Sequence, residues 1–431
     1  SIAAAGPETA RYGGNTPCVE VRTDAGTLLI FDCGTGARKL GSALAESGEA
    51  VRAHLFVSHT HTDHIQGLPF FLPAFVPGSH LTVYGPAGID RTFPRAVGGQ
   101  MDYAYFPMPL EEFPARIDFV EVGETQFAVD GVGVRTQFLN HTAPCLGYRI
   151  AAGGATFVYA TDHEAYADPP WHPDRPPASF DPAFLAHTGD ARHADFLRDA
   201  DLVLHDAQYW SADYPAKAGW GHSTVEYAVD IALAAEARRV TLFHHDPARD
   251  DEGVDAMLAV ARERALASGL PLEVTAAAEG DEFSFGEHVA AQAGAAGPHA
   301  PRMPTRARLL VADDDPATVQ VLETIFTADG YEIDSAFDGT NALAKATDGS
   351  YDLLILDIGM PGLDGIQVCH RLRTNERYRS TPVIILTGRT RHEDMRLAFA
   401  AGVTDYIRKP FSVAQVRARV RSLLVRSADR P

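Results

Sequence analysis

The six-residue run His59-Thr60-His61-Thr62-Asp63-His64 constrains the fold of this chain more than any other feature of its sequence. It places three imidazoles and one carboxylate directly after the apolar run AHLFV, on a loop that leaves a strand. Neutral imidazole and carboxylate are ligands that zinc and similar metals accept. Single histidines are common in proteins, but this spacing, with histidine and aspartate partners further along the chain, predicts a metal site that several loops build.

Short apolar runs between turn signals predict a strand-rich N-terminal part. The candidate strands are residues 18–23, 27–34, 53–59, 80–85, 134–139, 155–162, 201–207 and 240–245. Helical periodicity appears in residues 223–237 and 254–268. Because the reactive side chains follow strand ends, we predict an α/β sandwich whose loops carry the site. We expect the Pro-rich residues 164–185 to form a surface excursion and the aromatic-rich residues 86–116 to form a substrate-facing lid.

A segment rich in Ala, Gly and Pro, residues 289–305, predicts a flexible linker between domains at 1–288 and 306–427. Charge changes across it. Residues 1–301 carry 19 Lys and Arg against 40 Asp and Glu, a net charge of −21, whereas residues 302–431 carry 18 against 17. Such an acidic first domain has no basic stripe for a nucleic-acid backbone, so small substrates are favoured over long RNA or DNA.

Targeting features are lacking in the sequence. No apolar run approaches the roughly eighteen residues of a membrane span, and the N-terminus has no signal core. The four cysteines are scattered without a CxxC pair, which is typical of a reducing compartment. We therefore expect a cytoplasmic protein that does not enter a membrane. The chain opens abruptly in turn-rich sequence, as expected if a preceding strand is absent from it.

After the linker, strands and helices alternate strictly. The strand candidates RARLLVADDD, YEIDSAFD, YDLLILDIGM, TPVIILTG and DYIRKPF are each followed by a helical pattern, which predicts a doubly wound parallel (βα)5 sheet. Asp313 and Asp314 close the first strand, Asp357 the third and Thr387 the fourth, and Lys409 follows the fifth. Strand carboxyl ends form the ligand site of such a sheet, and several carboxylates there require a divalent cation.

On these motifs, residues 1–287 resemble the metallo-β-lactamase superfamily, which implies an αββα sandwich and two metal ions. The expected partners appear in order: His141 in LNHTAPCLGYRI, Asp162 in VYATDHE and His244 in LFHHDP. The resemblance implies the ligands His59, His61 and His141 for one ion, Asp63, His64 and His244 for the other, and Asp162 between them. His245 competes with His244, which we favour. The ions would be zinc by default, with manganese or iron as alternatives, and paired cations of this kind activate water and stabilise developing charge. Asp63 would also orient the attacking water.

Two further motifs, HDAQY (205–209) and GHST around His222, resemble the RNase Z-like phosphodiesterase branch of that superfamily. The resemblance implies that Asp206 positions His222 as the proton donor to the leaving oxygen. The alternative is a turn carboxylate and a helix-opening residue, and HDAQ departs from the branch's HEAT motif. RYGGNTPCVEVRT and FDCGTG also look like this branch, and would place Asn15, Thr16 and the turn 34–36 near the metal loop as supports or ligands. No long arm for gripping transfer RNA is visible, which favours a small phosphodiester such as a cyclic nucleotide.

The C-terminal part resembles the receiver domain of bacterial response regulators over roughly residues 306–427. The resemblance implies that Asp357 accepts a phosphoryl group from a sensor histidine kinase or a phosphotransfer protein. It implies magnesium ligands at Asp313 (through water), Asp314, Asp357 and the Gly359 carbonyl, phosphoryl-binding residues Thr387 and Lys409, and a switch position at Tyr406. Gly359 stands where a polar residue often sits, so the rate of autodephosphorylation could differ while metal binding survives.

Together these features predict a phosphorylation-regulated, binuclear metal-dependent phosphodiesterase. Phosphorylation would change access to the metal domain or its dimerisation into a homodimer. Two alternatives stay open at this stage. One is hydrolysis of an ester, thioester or lactam at the same site, and the other is a metal-binding sensor or docking module without catalysis.

Overall fold

The structure, a computed structural model, describes residues 2–87, 92–166, 180, 182–285, 307–379, 381–387, 402–409, 416–417, 419–420 and 423–424. The chain divides into two compact units, residues 1–300 and 301–431, and each is described by itself. The predicted linker at 289–305 and most of the Pro-rich segment at 164–185 lie outside the described residues. Within the described ranges, no helix combines the length and apolar character that a membrane span requires.

The N-terminal unit contains two sheets. The first sheet is, in spatial order, β1 (Val19–Arg22), β2 (Leu28–Phe31), β3 (Arg52–Phe56), β4 (His80–Pro86) and β5 (Arg116–Val122). The second sheet, numbered along the chain, is β6 (Gln126–Val129), β7 (Val132–Phe138), β8 (Leu146–Ala152), β9 (Ala155–Ala160), β10 (Leu202–Asp206), β11 (Arg239–Phe243) and β12 (Glu273–Ala276). Strands β2 to β5 are parallel, as are β9 to β12, while the β1–β2 pair and β6 to β9 are antiparallel.

The helices of this unit are α1 (Ala37–Ala45), α2 (Thr62–Ile65), α3 (Phe93–Gly98), α4 (Thr188–Leu197), α5 (Tyr214–Lys217), α6 (Val225–Ala234) and α7 (Asp251–Ser268). The two sheets face each other through aromatic side chains, with Phe31 and Phe56 stacked at a ring separation of 5.3 Å and Phe31 contacting Tyr159 of the other sheet at 5.5 Å. Fully burying each such side chain contributes about 1.5–3 kcal/mol. Separate apolar clusters lie between each sheet and its covering helices. The predicted αββα sandwich is confirmed.

The C-terminal unit is a five-stranded parallel sheet in the order β14-β13-β15-β16-β17. Its strands are β13 (Arg308–Ala312), β14 (Glu332–Ala336), β15 (Leu353–Asp357), β16 (Val383–Thr387) and β17 (Asp405–Arg408), and its described helices are α8 (Pro316–Ala328), α9 (Gly339–Asp348) and α10 (Gly365–Arg373). Apolar clusters cover both faces of the sheet. The predicted doubly wound fold is confirmed, and the predicted helix at MRLAFAAG falls outside the described residues.

The prediction that residues 86–116 form a lid does not describe where most of their apolar side chains lie. Phe93, Val97 and Met101 are fully buried and Phe113 is nearly so, because α3 and its neighbouring turns pack against the first sheet. Tyr103 and Tyr105 remain exposed. Most of the apolar content of this segment therefore serves the core.

Candidate metal centre and phosphoacceptor site

The loop after β3 is held rigidly against the turn that follows β2. Cys33 N donates to the carbonyl of His64 at 2.8 Å, and a Cβ on Gly67 would lie 1.9 Å from the carbonyl oxygen of Gly34. Only glycine permits this close approach of the two backbones. The histidine-rich loop is thus positioned by its backbone before any metal is considered.

One group of predicted ligands converges on the open side of this loop. Suitable ligand atoms of His59, His61, His141 and Asp162 all lie within 4.8 Å of one another. His141 Nε2 is 3.2 Å from His61 Nδ1, and the three rings meet edge to face at centroid distances of 4.4 to 5.0 Å. The three rings do not stack on one another, so a ring nitrogen of each can face the same position.

A second, buried group contains Asp63, His64 and His244. Asp63 Oδ2 lies 3.3 Å from His64 Nε2 and 3.4 Å from His244 Nε2. His244 faces the group from the end of β11, whereas His245 Nε2 lies 3.1 Å from the carbonyl oxygen of Ala277. The structure therefore brings His244, and not its neighbour, to the cluster.

Asp162 stands between the two groups. Its Oδ2 lies 3.6 Å from His59 Nε2 and 3.7 Å from His141 Nε2, while its Oδ1 lies 3.3 Å from His64 Nε2 and 3.4 Å from His244 Nε2. Each carboxylate oxygen thus faces a different set of imidazoles. This is the arrangement required of a carboxylate that bridges two cations.

The protonation states of the first group fit a metal centre. Burial lowers the pKa values of His59 and His61, and lowers the pKa of His141 to about 4, so these imidazoles are neutral near pH 7. The buried Nε2 atoms of His59 and His64 have no hydrogen-bond partner in the described part of the chain. Buried polar atoms are nearly always paired, so an orphaned ring nitrogen in each of the two groups indicates an ion position there. The nitrogen and oxygen donors suit zinc, manganese or iron.

Asp32 supports this centre from behind, and sequence reasoning missed it. Its fully buried carboxylate accepts from Tyr159 Oη at 2.7 Å, from Ser58 Oγ at 2.8 Å and from Ser58 N at 2.7 Å. The same carboxylate lies 2.7 Å from His64 Nδ1. A proton on Nδ1 leaves His64 Nε2 free as a ligand, and metal-binding histidines usually donate their other ring N–H to a carboxylate in this way. In the sequence, FDCGTG carries a resemblance and the turn 34–36, but nothing in it singles out Asp32.

Three residues of the centre adopt the left-handed backbone region that side chains other than glycine rarely enter. These are Asp32 with φ 57°, Asp162 with φ 50° and His244 with φ 58°. Each costs of order 1–3 kcal/mol and persists only where the surroundings impose it. In all three the unusual turn follows a strand end and directs the side chain into the site.

The predicted pair Asp206 and His222 forms a dyad beside the metal cluster. The fully buried carboxylate of Asp206 accepts backbone N–H bonds from His163 at 3.2 Å, Gln208 at 3.0 Å and Ser223 at 3.3 Å. It lies 2.6 Å from Nδ1 of His222. Burial opposes the charged imidazolium, but the Asp206 carboxylate prevails and raises the pKa of His222 to about 9.

His222 sits above both groups of candidate ligands. Its ring lies 5.4 Å from the ring of His141 and stacks on that of His244 at 5.0 Å. With Nδ1 directed at Asp206, the opposite ring nitrogen is the one available for proton transfer. The structure thus brings all nine predicted residues of this site together: His59, His61, Asp63, His64, His141, Asp162, Asp206, His222 and His244.

A third cluster, His163, His193 and His205, lies behind the dyad and is fully buried. The rings of His163 and His193 stack at 3.9 Å with an interplanar angle of 21°. Lone pairs of stacked rings run parallel and do not meet at one ion. Asn140 N donates to His163 Nδ1 at 3.1 Å, and His205 Nδ1 pairs with the carbonyl of Asp206 at 2.7 Å. This cluster is therefore a hydrogen-bond network that supports the dyad.

Asn15, Thr16 and the turn 34–36 are backbone supports of the metal loop. Thr16 Oγ1 accepts from Thr35 N at 2.7 Å and from Gln66 Nε2 at 3.2 Å, and Asn15 pairs with Glu279. A Cβ on Gly34 would lie 2.3 Å from the carbonyl of Asp63. Their described contacts reach the loop's backbone and flanking residues rather than the candidate ligand atoms.

In the C-terminal unit, carboxylates gather at the ends of β13 and β15. Ligand atoms of Asp313, Asp314 and Asp357 lie within 4.8 Å of one another. Lys409 Nζ is 2.6 Å from both Asp313 Oδ2 and Asp357 Oδ1. Burial raises the pKa of Asp313 against the effect of Lys409. These like charges, only partly neutralised by one ammonium group, fit a divalent cation.

The remaining predicted residues of this pocket lie on β16 and β17 or just after the end of β15. Thr387 ends β16 and is nearly fully buried, and Lys409 N donates to its carbonyl at 2.7 Å. Gly359 N donates to the Asp357 carboxylate. A Cβ on Gly359 would lie 3.0 Å from Asp357 Oδ2, so a larger residue there would crowd the carboxylate. Tyr406 lies in β17, but its side chain is outside the described part.

An αββα sandwich with converging histidine and aspartate side chains, followed by a parallel sheet with a carboxylate pocket, defines the class of this chain: a hydrolase-like fold joined to a receiver-like fold. The sequence matches the family model described as Beta-lactamase superfamily domain over residues 27–245, more than half of the chain. The chain therefore belongs to the beta-lactamase superfamily. Residues 309–421 match the Response regulator receiver domain, which confirms the second predicted resemblance.

The individual relatives match the receiver domain. Residues of this chain are 40% identical over 122 positions to Transcriptional regulatory protein ResD of Bacillus subtilis, covering 28% of this chain and 50% of that protein. Response regulator PleD of Caulobacter vibrioides is 40% identical over 117 positions, covering 27% and 26%. The solved Francisella response regulator 1452 receiver domain is 37% identical, with 28% and 98% covered and a TM-score of 0.27. The chain thus spans half or less of the length of these curated relatives.

Proposed function

We propose that the N-terminal unit is a binuclear metal-dependent phosphodiesterase, of the RNase Z-like branch, that acts on a small phosphodiester such as a cyclic nucleotide. We propose further that the receiver domain sets its activity through phosphorylation of Asp357. The protein would act in the cytoplasm with a sensor histidine kinase or phosphotransfer protein as its partner.

The ligand assignment follows from the two groups described above. His59, His61 and His141 would hold one ion, Asp63, His64 and His244 the other, and Asp162 would bridge them. Zinc ions, or manganese or iron, would activate water and neutralise negative charge on the phosphoryl oxygens. Asp63, which borders the shared position, would orient the attacking water.

The observation that carries the phosphodiesterase proposal is the Asp206–His222 dyad. An alkoxide leaving group is a strong base, and its departure requires a proton donor, whereas a strained lactam needs one less. The carboxylate of Asp206, held by three backbone N–H groups, keeps His222 doubly protonated and aimed over the ligand cluster. Nearby cations would lower the pKa of His222 from about 9 towards neutrality, which suits a general acid.

The charge of the domain favours a small substrate. A net charge of −21 over residues 1–301 disfavours an extended nucleic-acid backbone, whereas bound ions would offer concentrated positive charge at the site. A substrate with one or two phosphodiester groups can reach them without a basic groove.

Turnover of bis(4-nitrophenyl) phosphate, cyclic mono- and dinucleotides, and model esters, thioesters and lactams tests this function. We expect zinc-dependent hydrolysis of phosphodiesters that His61→Ala abolishes. His222→Ala should cost roughly 100-fold or more with alkoxide leaving groups. Turnover of esters or lactams with phosphodiesters at background would reject the branch. Bound metal of one ion or none per chain, with no turnover, would instead favour a sensor module.

The receiver proposal rests on the carboxylate pocket. Asp313, Asp314, Asp357 and the Gly359 carbonyl would hold magnesium, and Thr387 and Lys409 would bind the phosphoryl oxygens, with Tyr406 as the switch. Incubation with radiolabelled acetyl phosphate should label the protein, and Asp357→Asn should remove the label. If beryllofluoride leaves phosphodiester turnover unchanged in the wild type, phosphorylation does not control the hydrolase.

A further inference from the structure

Glu164 is a buried carboxylate that belongs neither to the candidate ligands nor to the dyad. It lies two residues after Asp162 and is only 8% exposed. Its oxygens accept from Gly219 N at 2.6 Å, Gly221 N at 2.9 Å and Tyr214 Oη at 2.6 Å. All three donors belong to the segment 214–221, which leads directly into His222.

The segment that Glu164 grips also touches a candidate metal ligand. The carbonyl of Gly221 lies 2.9 Å from His141 Nδ1, so it accepts the proton that leaves His141 Nε2 free to bind. Gly221 has a φ of 86°, and a Cβ there would lie 2.2 Å from His141 Nδ1. Gly221 thus donates its N–H to Glu164, orients His141 with its carbonyl and directly precedes His222.

Gly219 has the same left-handed φ of 86°, so the segment makes two sharp turns within three residues. Trp220 between these two glycines is 60% exposed, so apolar packing contributes little and the hydrogen bonds hold the turns. Bonds from backbone N–H groups to a charged carboxylate are about twice as strong as neutral ones. Replacing the carboxylate by an amide would leave one acceptor oxygen instead of two and would weaken the bond that remains.

We propose that Glu164 is a positioning residue that couples the proton donor His222 to the metal ligand His141 through the segment 219–221. The inference rests on the proposed phosphodiesterase function and adds to it. It assigns a role in leaving-group protonation to a residue outside the candidate ligand groups and the Asp206–His222 dyad.

The test compares two diesters that differ only in the basicity of the leaving oxygen, methyl phenyl phosphate and methyl 4-nitrophenyl phosphate, at saturating zinc. Glu164→Gln keeps the size of the side chain and removes its charge. We expect kcat to fall roughly 100-fold for the phenyl ester and less than about 10-fold for the nitrophenyl ester, because only the first needs a proton donor. A merely structural role would reduce both by one factor.

Asp201→Asn is the matched control. Asp201 also accepts a backbone N–H, from Thr156 at 2.8 Å, but at the opposite ends of the strands from the site. In Asp201→Asn, the ratio of kcat for the phenyl ester to kcat for the nitrophenyl ester should equal the ratio in the wild type. A second readout does not depend on turnover: the Nδ1 proton of His141 should give a slowly exchanging NMR signal in the zinc-loaded wild type and the control, and lose it in Glu164→Gln.

Equal losses on both diesters, or a retained His141 signal in Glu164→Gln, overturn the inference while wild-type turnover leaves the proposed function standing. If the wild type hydrolyses neither diester, nor any other phosphodiester, the proposed function itself fails, and the inference fails with it.

Discussion

Asp32 affects the candidate metal centre through a ligand, His64, and is not itself among the candidate ligands. Its fully buried carboxylate lies with Oδ2 2.7 Å from His64 Nδ1 and thereby holds the proton on that nitrogen. We expect Asp32→Asn to weaken zinc binding by about 10- to 100-fold. A neutral amide favours the Nδ1-protonated tautomer of His64 less than a carboxylate does, and it makes Nε2 a less basic ligand. Competition with a chromophoric chelator measures the affinity.

Asp130→Asn is the control for that substitution. Asp130 also pairs with a histidine, His54 Nε2 at 3.1 Å, but this pair is outside the ligand cluster. Zinc affinity should stay at the wild-type value. Equal weakening by both substitutions would show that Asp32 acts through general stability rather than through His64.

His245 makes the stability of the metal-free protein depend on pH. Burial lowers its pKa to about 4, against about 6.5 in an unfolded chain. Between these values only the unfolded chain binds the proton, so stability is full above pH 6.5 and falls as the pH drops towards 4, by at most about 3 kcal/mol. His245→Gln should lose less stability between pH 7 and 4.5 in urea unfolding with chelator present. Parallel losses would contradict the assignment.

At the scale of elements, α6 and α7 are joined by a buried ion pair. Arg264 Nε and Nη2 lie 2.6 and 2.7 Å from the two carboxylate oxygens of Asp230. Breaking such a pair leaves one buried charge without its partner, so Asp230→Ala should destabilise the N-terminal unit by about 3–5 kcal/mol. Urea unfolding followed by tryptophan fluorescence measures the change.

Arg238→Ala provides the comparison, because Arg238 pairs with Asp201 while 63% of its side chain is exposed. Its loss should cost no more than about 1 kcal/mol. A cost for Asp230→Ala that is no larger than this would mean that the buried pair contributes little.

Elements with strong apolar periodicity could be predicted from the sequence, and those with mixed patterns could not. All eight predicted strands of the N-terminal unit overlap observed strands. The missed strand β5 (Arg116–Val122) carries charges in RIDFVEV, and β8 (Leu146–Ala152) includes Arg149, whose guanidinium bonds the carbonyl of Phe196. Tertiary contacts, rather than local pattern, satisfy these polar groups.

The same limit applies to the site. Closely spaced histidines and aspartates after strands left a readable motif, and the structure brings them together. Asp32 and Glu164 act on partners that lie 32 and 57 residues away along the chain. A single carboxylate at such a distance leaves no spacing pattern, so their roles required coordinates.

At the scale of the whole molecule, each unit has its own proposed ion site, and the two can be followed separately. All three tryptophans, Trp171, Trp210 and Trp220, precede residue 300, so tryptophan fluorescence reports the N-terminal unit alone. Zinc at 100 times its Kd should stabilise that unit by about 2.7 kcal/mol, and magnesium should not. Magnesium should raise only the second calorimetric transition, an effect that Asp357→Ala removes. Shifts of both transitions by either ion would contradict this.

The left-handed turns at Asp32, Asp162 and His244 also restrict how this molecule can evolve. Few residue types besides glycine, asparagine, aspartate and histidine tolerate that backbone. In a relative that binds no metal ions, selection would no longer keep aspartate or histidine at these three turns, and glycine would fit the backbone better. Glycine at all three positions would therefore indicate a relative that keeps the fold but has lost the metal-dependent chemistry.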